Sequence, residues 1–146
     1  MRVPILLATL SLAALAAACS ASSPAPKGWR AMPGESDAWS SGTGANLSEY
    51  FYEKKPYGGS LSDLASRVTI DALMRHPGAK LQGSVPFAPC PGAAGVATVR
   101  LRDDMTMQEG FAVRDGQAIR TTYVRPTGTP VAPAVTEAMK SSLCTL

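Results

Sequence analysis

The stretch from Phe111 to Arg125, FAVRDGQAIRTTYVR, constrains this chain more than any other, because two runs of alternating character flank an Asp-Gly dipeptide. That pattern is the strongest short-range signal for a β-hairpin, so the fold must contain a sheet. Loop length then decides which side chains share a face. A two-residue loop at Asp115-Gly116 sets Phe111 opposite Arg120 and leaves Ile119 on the other face with Gln108 and Tyr123. A three-residue loop, Arg114 to Gly116 with Gly116 at positive φ, sets Phe111 opposite Ile119 and Met107 opposite Tyr123, with Val113 beside them. A slip of one residue exchanges core and solvent along a whole strand, so burial beneath helices on one face selects the three-residue register. Arg120 and Thr122 are then expected to face water.

The flanking segments extend this sheet. Val96 to Arg102 alternates, and a three-residue turn over Asp103 to Met105 would place Leu101 opposite Met107 and Ala97 opposite Phe111. Ala79 to Phe87 reads as a strand with Leu81, Val85 and Phe87 on one parity, and the aromatic run Glu49 to Lys54 reads as another. Residues 28 to 46 suggest a short strand around Trp29 and then an irregular loop, with Trp29 and Trp39 as buried anchors.

Between these strands the period changes. Ser60 and Asp63 form a capping box, and Leu61, Leu64, Val68 and Ala72 recur at helical spacing as far as His76-Pro77-Gly78, where proline and glycine stop a helix. A second helix over Val131 to Leu143 follows from Val135, Ala138, Met139 and Leu143. Its start is open between a Thr129 cap with Pro130 in the first turn and a start at Ala132. The expectation is an α+β fold, an antiparallel sheet of about five to six strands with two helices packed on it. With 146 residues, 45% hydrophobic and 17% charged, residues 28–146 make a single domain.

The N-terminus has a different character. Met1-Arg2 is a short basic start, Ile5 to Ala18 is apolar but too short to span a bilayer, and Ala16 to Ala18 are the small residues a signal peptidase requires, so residues 1–18 read as an export signal. The next residue is Cys19, and LAAAC resembles a bacterial lipobox, although the place three before the cysteine holds Ala16 where Leu is usual. The resemblance implies a lipid on Cys19 and a mature chain that starts there; plain secretion is the alternative. SASSPAPK, Ser20 to Lys27, then reads as a flexible tether.

Removing Cys19 leaves Cys90 and Cys144, an even pair for which an oxidising compartment makes a disulfide the default, with free thiols or a redox pair as the rival. Of 14 basic side chains Arg2 leaves with the signal, against 11 acidic ones, so the mature net charge is near +2. That is too small a surplus to argue for nucleic acid.

Catalytic sets are hard to assemble. The single histidine, His76, falls at the C-terminal end of the first helix, where a protonated imidazole interacts favourably with the helix dipole. No persuasive Ser/His/Asp set, no GxSxG and no clustered metal ligands occur, and GTGAN at 42–46 lacks what a phosphate cradle needs. Two features carry more. The expected registers gather Arg100, Arg102, Gln108, Arg120 and Thr122 on the face away from the helices, a candidate patch for a carboxylate, a headgroup or an acidic protein, and equally an ordinary solvated sheet face. Glu109 falls on the core parity, where it must sit at the rim, reach an arginine or titrate high; the favoured reading is that Glu109-Gly110 marks a bulge that turns the side chain outward.

Taken in order, a strand with Trp29, an aromatic strand, a helix led by SLSDLA, a meander ending in FAVRDGQAIRTTYVRP and a terminal helix resemble the PsbP-like fold, shared by the photosystem II extrinsic protein, the Ran-binding Mog protein and small bacterial lipoproteins of the DcrB and LpqN kinds. The resemblance implies a binding or accessory role and carries over no catalytic residue, cofactor or metal. The expected function is that of an exported, membrane-anchored lipoprotein of the periplasm or cell surface. It would be non-enzymatic, held to the membrane through its N-terminal lipid, and would serve a protein partner in the envelope. The alternatives are a carrier or sensor of a small anionic ligand on the basic sheet face, and an immunity protein against a secreted toxin.

Overall fold

The computed structural model describes residues 24–145; the expected signal, Cys19 and residues 20 to 23 lie outside them. The strands are β1 (Arg30–Ala31), β2 (Ala38–Ser41), β3 (Ser48–Pro56), β4 (Lys80–Pro86), β5 (Ala94–Arg102), β6 (Met105–Arg114) and β7 (Gln117–Pro126). Helix α1 (Leu61–Arg75) lies between β3 and β4, and α2 (Pro133–Cys144) comes last. They form one seven-stranded antiparallel sheet in the order β1-β2-β3-β7-β6-β5-β4. This is a mixed α+β architecture with one strand more than the alternation indicated, because Ala38–Ser41 pairs with β3 where an irregular loop was expected. β3 pairs with β7, so α1 must carry the chain across the sheet to its far edge.

Both helices form where the periodicity places them. The Ser60 hydroxyl accepts from the Asp63 amide at 3.1 Å and the Asp63 carboxylate accepts from the Ser60 amide at 3.4 Å, closing the capping box that starts α1. Its stripe of Leu64, Val68 and Ala72 is buried, and burial of the two larger side chains contributes roughly 2 kcal/mol apiece. Pro133 takes a first-turn position in α2, whose missing amide costs nothing there.

The helices do not share a face. α1 contacts β4, β5 and β6, and α2 contacts β6 and β7. Leu64 and Val68 of α1 pack with Ala97, Phe111 and Ala118, whereas Val135, Ala138, Met139 and Leu143 of α2 pack with Tyr50, Ala112, Ile119 and Tyr123. Phe111 and Ala112 are consecutive in one strand and so point to opposite faces. The sheet is therefore covered on both sides, which removes the reason for gathering every apolar residue on one.

That arrangement corrects the hairpin register. Arg114 pairs with Gln117 and Phe111 stands opposite Arg120, so the loop has two residues, with Asp115 at φ 48° and Gly116 at φ 70°. Both central residues at positive φ define a type I′ turn, whose twist matches the flanking strands. Ile119 and Tyr123 fall on the α2 face with Ala112, and Phe111 and Met107 on the α1 face. Neither set is lost to water. The β5–β6 register is also shifted: Val99 rather than Leu101 faces Met107, after an irregularity between Arg100 and Arg102. A displacement of two residues keeps each side chain on its expected face. In β4 a bulge between Leu81 and Gly83 separates Leu81 from the parity of Val85.

Two further contacts fix the ends. Cys90 and Cys144 form a disulfide, with Cα atoms 5.5 Å apart, joining the β4–β5 loop to the end of α2. At the other end, the Pro26 side chain is fully buried, its carbonyl accepts from the Trp29 amide at 3.1 Å, and the Trp29 ring meets Tyr123 edge-on at 6.0 Å. The expected flexible tether through Lys27 is thus corrected: the chain is already packed on the domain from Pro24 onward.

Candidate functional site

Because α1 lies over β4, β5 and β6, the β3 and β7 side of the same face is left open beside the C-terminal half of the helix. A groove of about 430 Å³ runs there, floored by Phe51, Met107, Thr122 and Val124 and walled by Ala72, Arg75 and His76. Glu109 forms its deepest point and is 1% exposed.

The β6–β7 register explains why a carboxylate is tolerated at that depth. Thr122 stands directly opposite Glu109, and Arg120 lies two residues further along on the same face, within diagonal reach across the strands. Arg120 Nε donates to Glu109 Oε2 at 2.7 Å and Arg120 Nη2 donates to Oε1 at 2.9 Å; the Thr122 hydroxyl donates to Oε2 at 3.1 Å. This is a bidentate, charge-assisted pair. Its hydrogen bonds with Glu109 hold the Arg120 guanidinium above its ordinary pKa, against the burial that pulls it down.

From the pair, charge alternates outward to solvent. Arg120 Nη1 donates to Asp71 Oδ2 at 3.4 Å, and Asp71 accepts from Arg75 Nε at 2.9 Å, one helical turn further along α1. Glu109, Arg120, Asp71 and Arg75 form a file of alternating sign, with side-chain exposure rising from 1% through 20% and 37% to 65%. Each buried charge is neutralised by its neighbour. Glu109 has both oxygens engaged, so it offers neither a free base nor a nucleophile, and Arg120 is committed before any anion could reach it. The remaining ionisable groups of the groove are Glu49, Tyr52 and Glu53 of β3 and His76, which caps the end of α1.

The expected basic patch does not exist as one face. Arg100 pairs with Thr106 and Gln108 with Tyr123, which puts both on the α2 face. Arg120 and Thr122 lie on the α1 face around Glu109, and Arg102 is at the β5–β6 turn, 3.2 Å from Asp104. The physical reason is the two-residue hairpin: it moves β7 by one residue against β6 and so reverses the faces of Arg120 and Thr122. The outward bulge at Glu109 is corrected on the same ground, since Glu109 pairs regularly with Ala97 and Thr122. Cys90 and Cys144 meet as expected, and Cys19 lies outside the described residues. Asp71 and Arg75 were not singled out from the sequence, although their spacing of four on a helix was a signal for them.

On the opposite face, the Tyr50 hydroxyl lies beside those of Ser142 and Thr121 beneath α2, and burial pushes its pKa up to about 12. Among the described residues, no group of three His, Cys, Asp or Glu side chains is placed to hold a metal ion, and no helix is long and apolar enough to cross a membrane.

No family model and no curated protein matches the chain. Among solved structures it is similar to the crystal structure of PA94, a protein of unknown function from Pseudomonas aeruginosa, with 18% identity and a TM-score of 0.49 over 84% of this chain and 87% of that one. Nothing about the activity of this chain follows from that likeness.

Proposed function

We propose that this chain is an exported, membrane-anchored, non-enzymatic binding domain of the cell envelope, with a PsbP-like fold, that holds a protein partner in the groove beside α1. The observation that carries the reading is the groove itself, an open apolar floor of Phe51, Met107 and Val124 beside an ion pair whose members already satisfy one another. A rigid, internally neutralised base suits recognition, because it costs no rearrangement when a partner arrives. The basic start, the apolar run and LAAAC support export and anchoring, and the disulfide suits an oxidising compartment. The anionic-ligand alternative loses Arg120, which Glu109 engages.

The reading is tested by placing a photo-crosslinking amino acid at Phe51 in the groove and, separately, at Thr136 on the exposed side of α2, in cells that express the full chain. A discrete envelope-protein adduct from position 51, absent from position 136, is expected. No adduct at 51, or the same adducts at both, overturns the groove as the binding surface. The mass of the N-terminal peptide from membrane-purified protein tests the anchor.

A further inference from the structure

The antiparallel order places the starts of β1, β3, β4 and β6 and the ends of β2, β5 and β7 at one end of the sheet. The chain from Pro24 to Trp29 enters at this end, since it leads directly into Arg30. Lys80 stands directly opposite Arg100, Arg100 opposite Thr106 and Thr106 opposite Arg125, so one row across neighbouring strands carries three cations. Like charges directly opposite on adjacent strands repel and do nothing for folding. Lys80 and Arg100 are exposed, and no carboxylate among the described residues pairs with either. Acidic groups at the same end are Glu49 and the turn residues Asp103 and Asp104, of which Asp104 is engaged by Arg102. A concavity of about 380 Å³ opens between Lys80, Arg100, Arg102, Asp103 and the Pro77-Gly78 turn.

We infer that this end of the sheet is a docking surface for an anionic lipid bilayer, held there by Arg30, Lys80 and Arg100. The inference rests on the membrane-anchored reading and deepens it. Two independent observations converge on the same end. One is the exposed pair Lys80 and Arg100 in that row, which no carboxylate among the described residues neutralises and which is complementary to anionic headgroups. The other is chain length: because Pro26 is buried, only residues 20 to 23 separate Cys19 from the packed chain, and even fully extended they reach no more than about 17 Å. A lipid on Cys19 therefore holds the basic end against the bilayer. The concavity beside Lys80 and Arg100 is where a headgroup phosphate would sit. Lys54 and Lys55, at the far end of β3, face away from the bilayer.

The test uses residues 20–146, which contain every described element and the disulfide but neither the leader nor Cys19, so that binding cannot come from an acyl chain. Co-sedimentation with vesicles of phosphatidylglycerol and phosphatidylcholine is expected, with release at high ionic strength and no binding to phosphatidylcholine alone. Each cation near an anionic surface strengthens binding roughly fivefold. Lys80→Gln with Arg100→Gln should thus weaken it roughly 25-fold, while Lys54→Gln with Lys55→Gln, an equal charge loss, should leave it unchanged. All four side chains are exposed, and thermal melting checks that each variant is folded. Absence of binding, binding to neutral vesicles alike, or equal losses in the two variants overturns the inference. The anchored reading fails separately, if the N-terminal peptide of the full chain from cells bears no lipid.

Discussion

Arg120 stands opposite Phe111 across the β6–β7 hairpin and closes two of its nitrogens on Glu109, two residues back along the partner strand. This contact places an ion pair in the wall of the groove. Glu109→Gln should cost on the order of 3 kcal/mol, because a buried guanidinium then faces a neutral amide. Glu109→Leu with Arg120→Met should recover most of that loss. Urea unfolding of the single and double variants measures both; a single variant as stable as the wild type would mean that solvent reaches the pair.

The turn offers a test of register. Asp115 and Gly116 both have positive φ, so Asp115→Asn should be nearly neutral, since asparagine tolerates that region, whereas Asp115→Val should cost about 1–2 kcal/mol. Thermal unfolding compares the two. Equal stability would favour the three-residue loop, which does not need Asp115 in that conformation.

The register was the part of the fold least legible in the sequence. Ser60, Asp63 and the Leu64-Val68-Ala72 spacing announce α1 without reference to anything else, because a capping box and a helical stripe are local facts. Strand alternation also marks β4 to β7, and aromatic content marks β3. The choice between two hairpin loops depended on whether one face of the sheet is covered or both, and that is decided by α1 and α2 packing from opposite sides. A single covered face would send Arg120 to water and require a bulge at Glu109, and two covered faces require neither. The residues of the site were visible, and their neighbours were not.

Tyr50 makes the fold sensitive to alkali. Its phenol ionises near 10 in an unfolded chain and near 12 when buried here, so below pH 10 it adds no pH dependence. Between those values the folded state keeps a proton that the unfolded state has lost, and stability falls as pH rises, by up to roughly 3 kcal/mol. Tyr52 is shifted the same way, by burial first and then by Asp37. Urea midpoints on either side of pH 10 should show the fall, and Tyr50→Phe should flatten it; an unchanged slope would mean that Tyr50 is hydrated.

The disulfide closes a loop with a sequence separation of 54. On the chain-entropy model that stabilises by about 4 kcal/mol, so Cys90→Ser with Cys144→Ser, or reduction of the wild type, should lower the melting temperature markedly. Equal melting of oxidised and reduced protein would show that the end of α2 needs no clasp.

Gly110 sits where a methyl group would meet the Thr121 hydroxyl and approach Leu143 Cδ1 to 2.8 Å. Gly110→Ala should therefore push α2 off the sheet and cost about 1–3 kcal/mol, read as faster amide exchange in α2 than in α1. Matched exchange in the two helices would remove the argument.

Because β3 pairs with β7 and not with the strand that follows it, the middle of the sheet joins an early piece of the chain to a late one, Tyr50 against Tyr123. A chain released in order from its N-terminus can pair β3 with β2 along one edge, but the other edge of the aromatic strand waits for β7 through the time it takes to deliver some seventy further residues. A protein read as one that is threaded across a membrane before it folds has, in this pairing, a built-in delay.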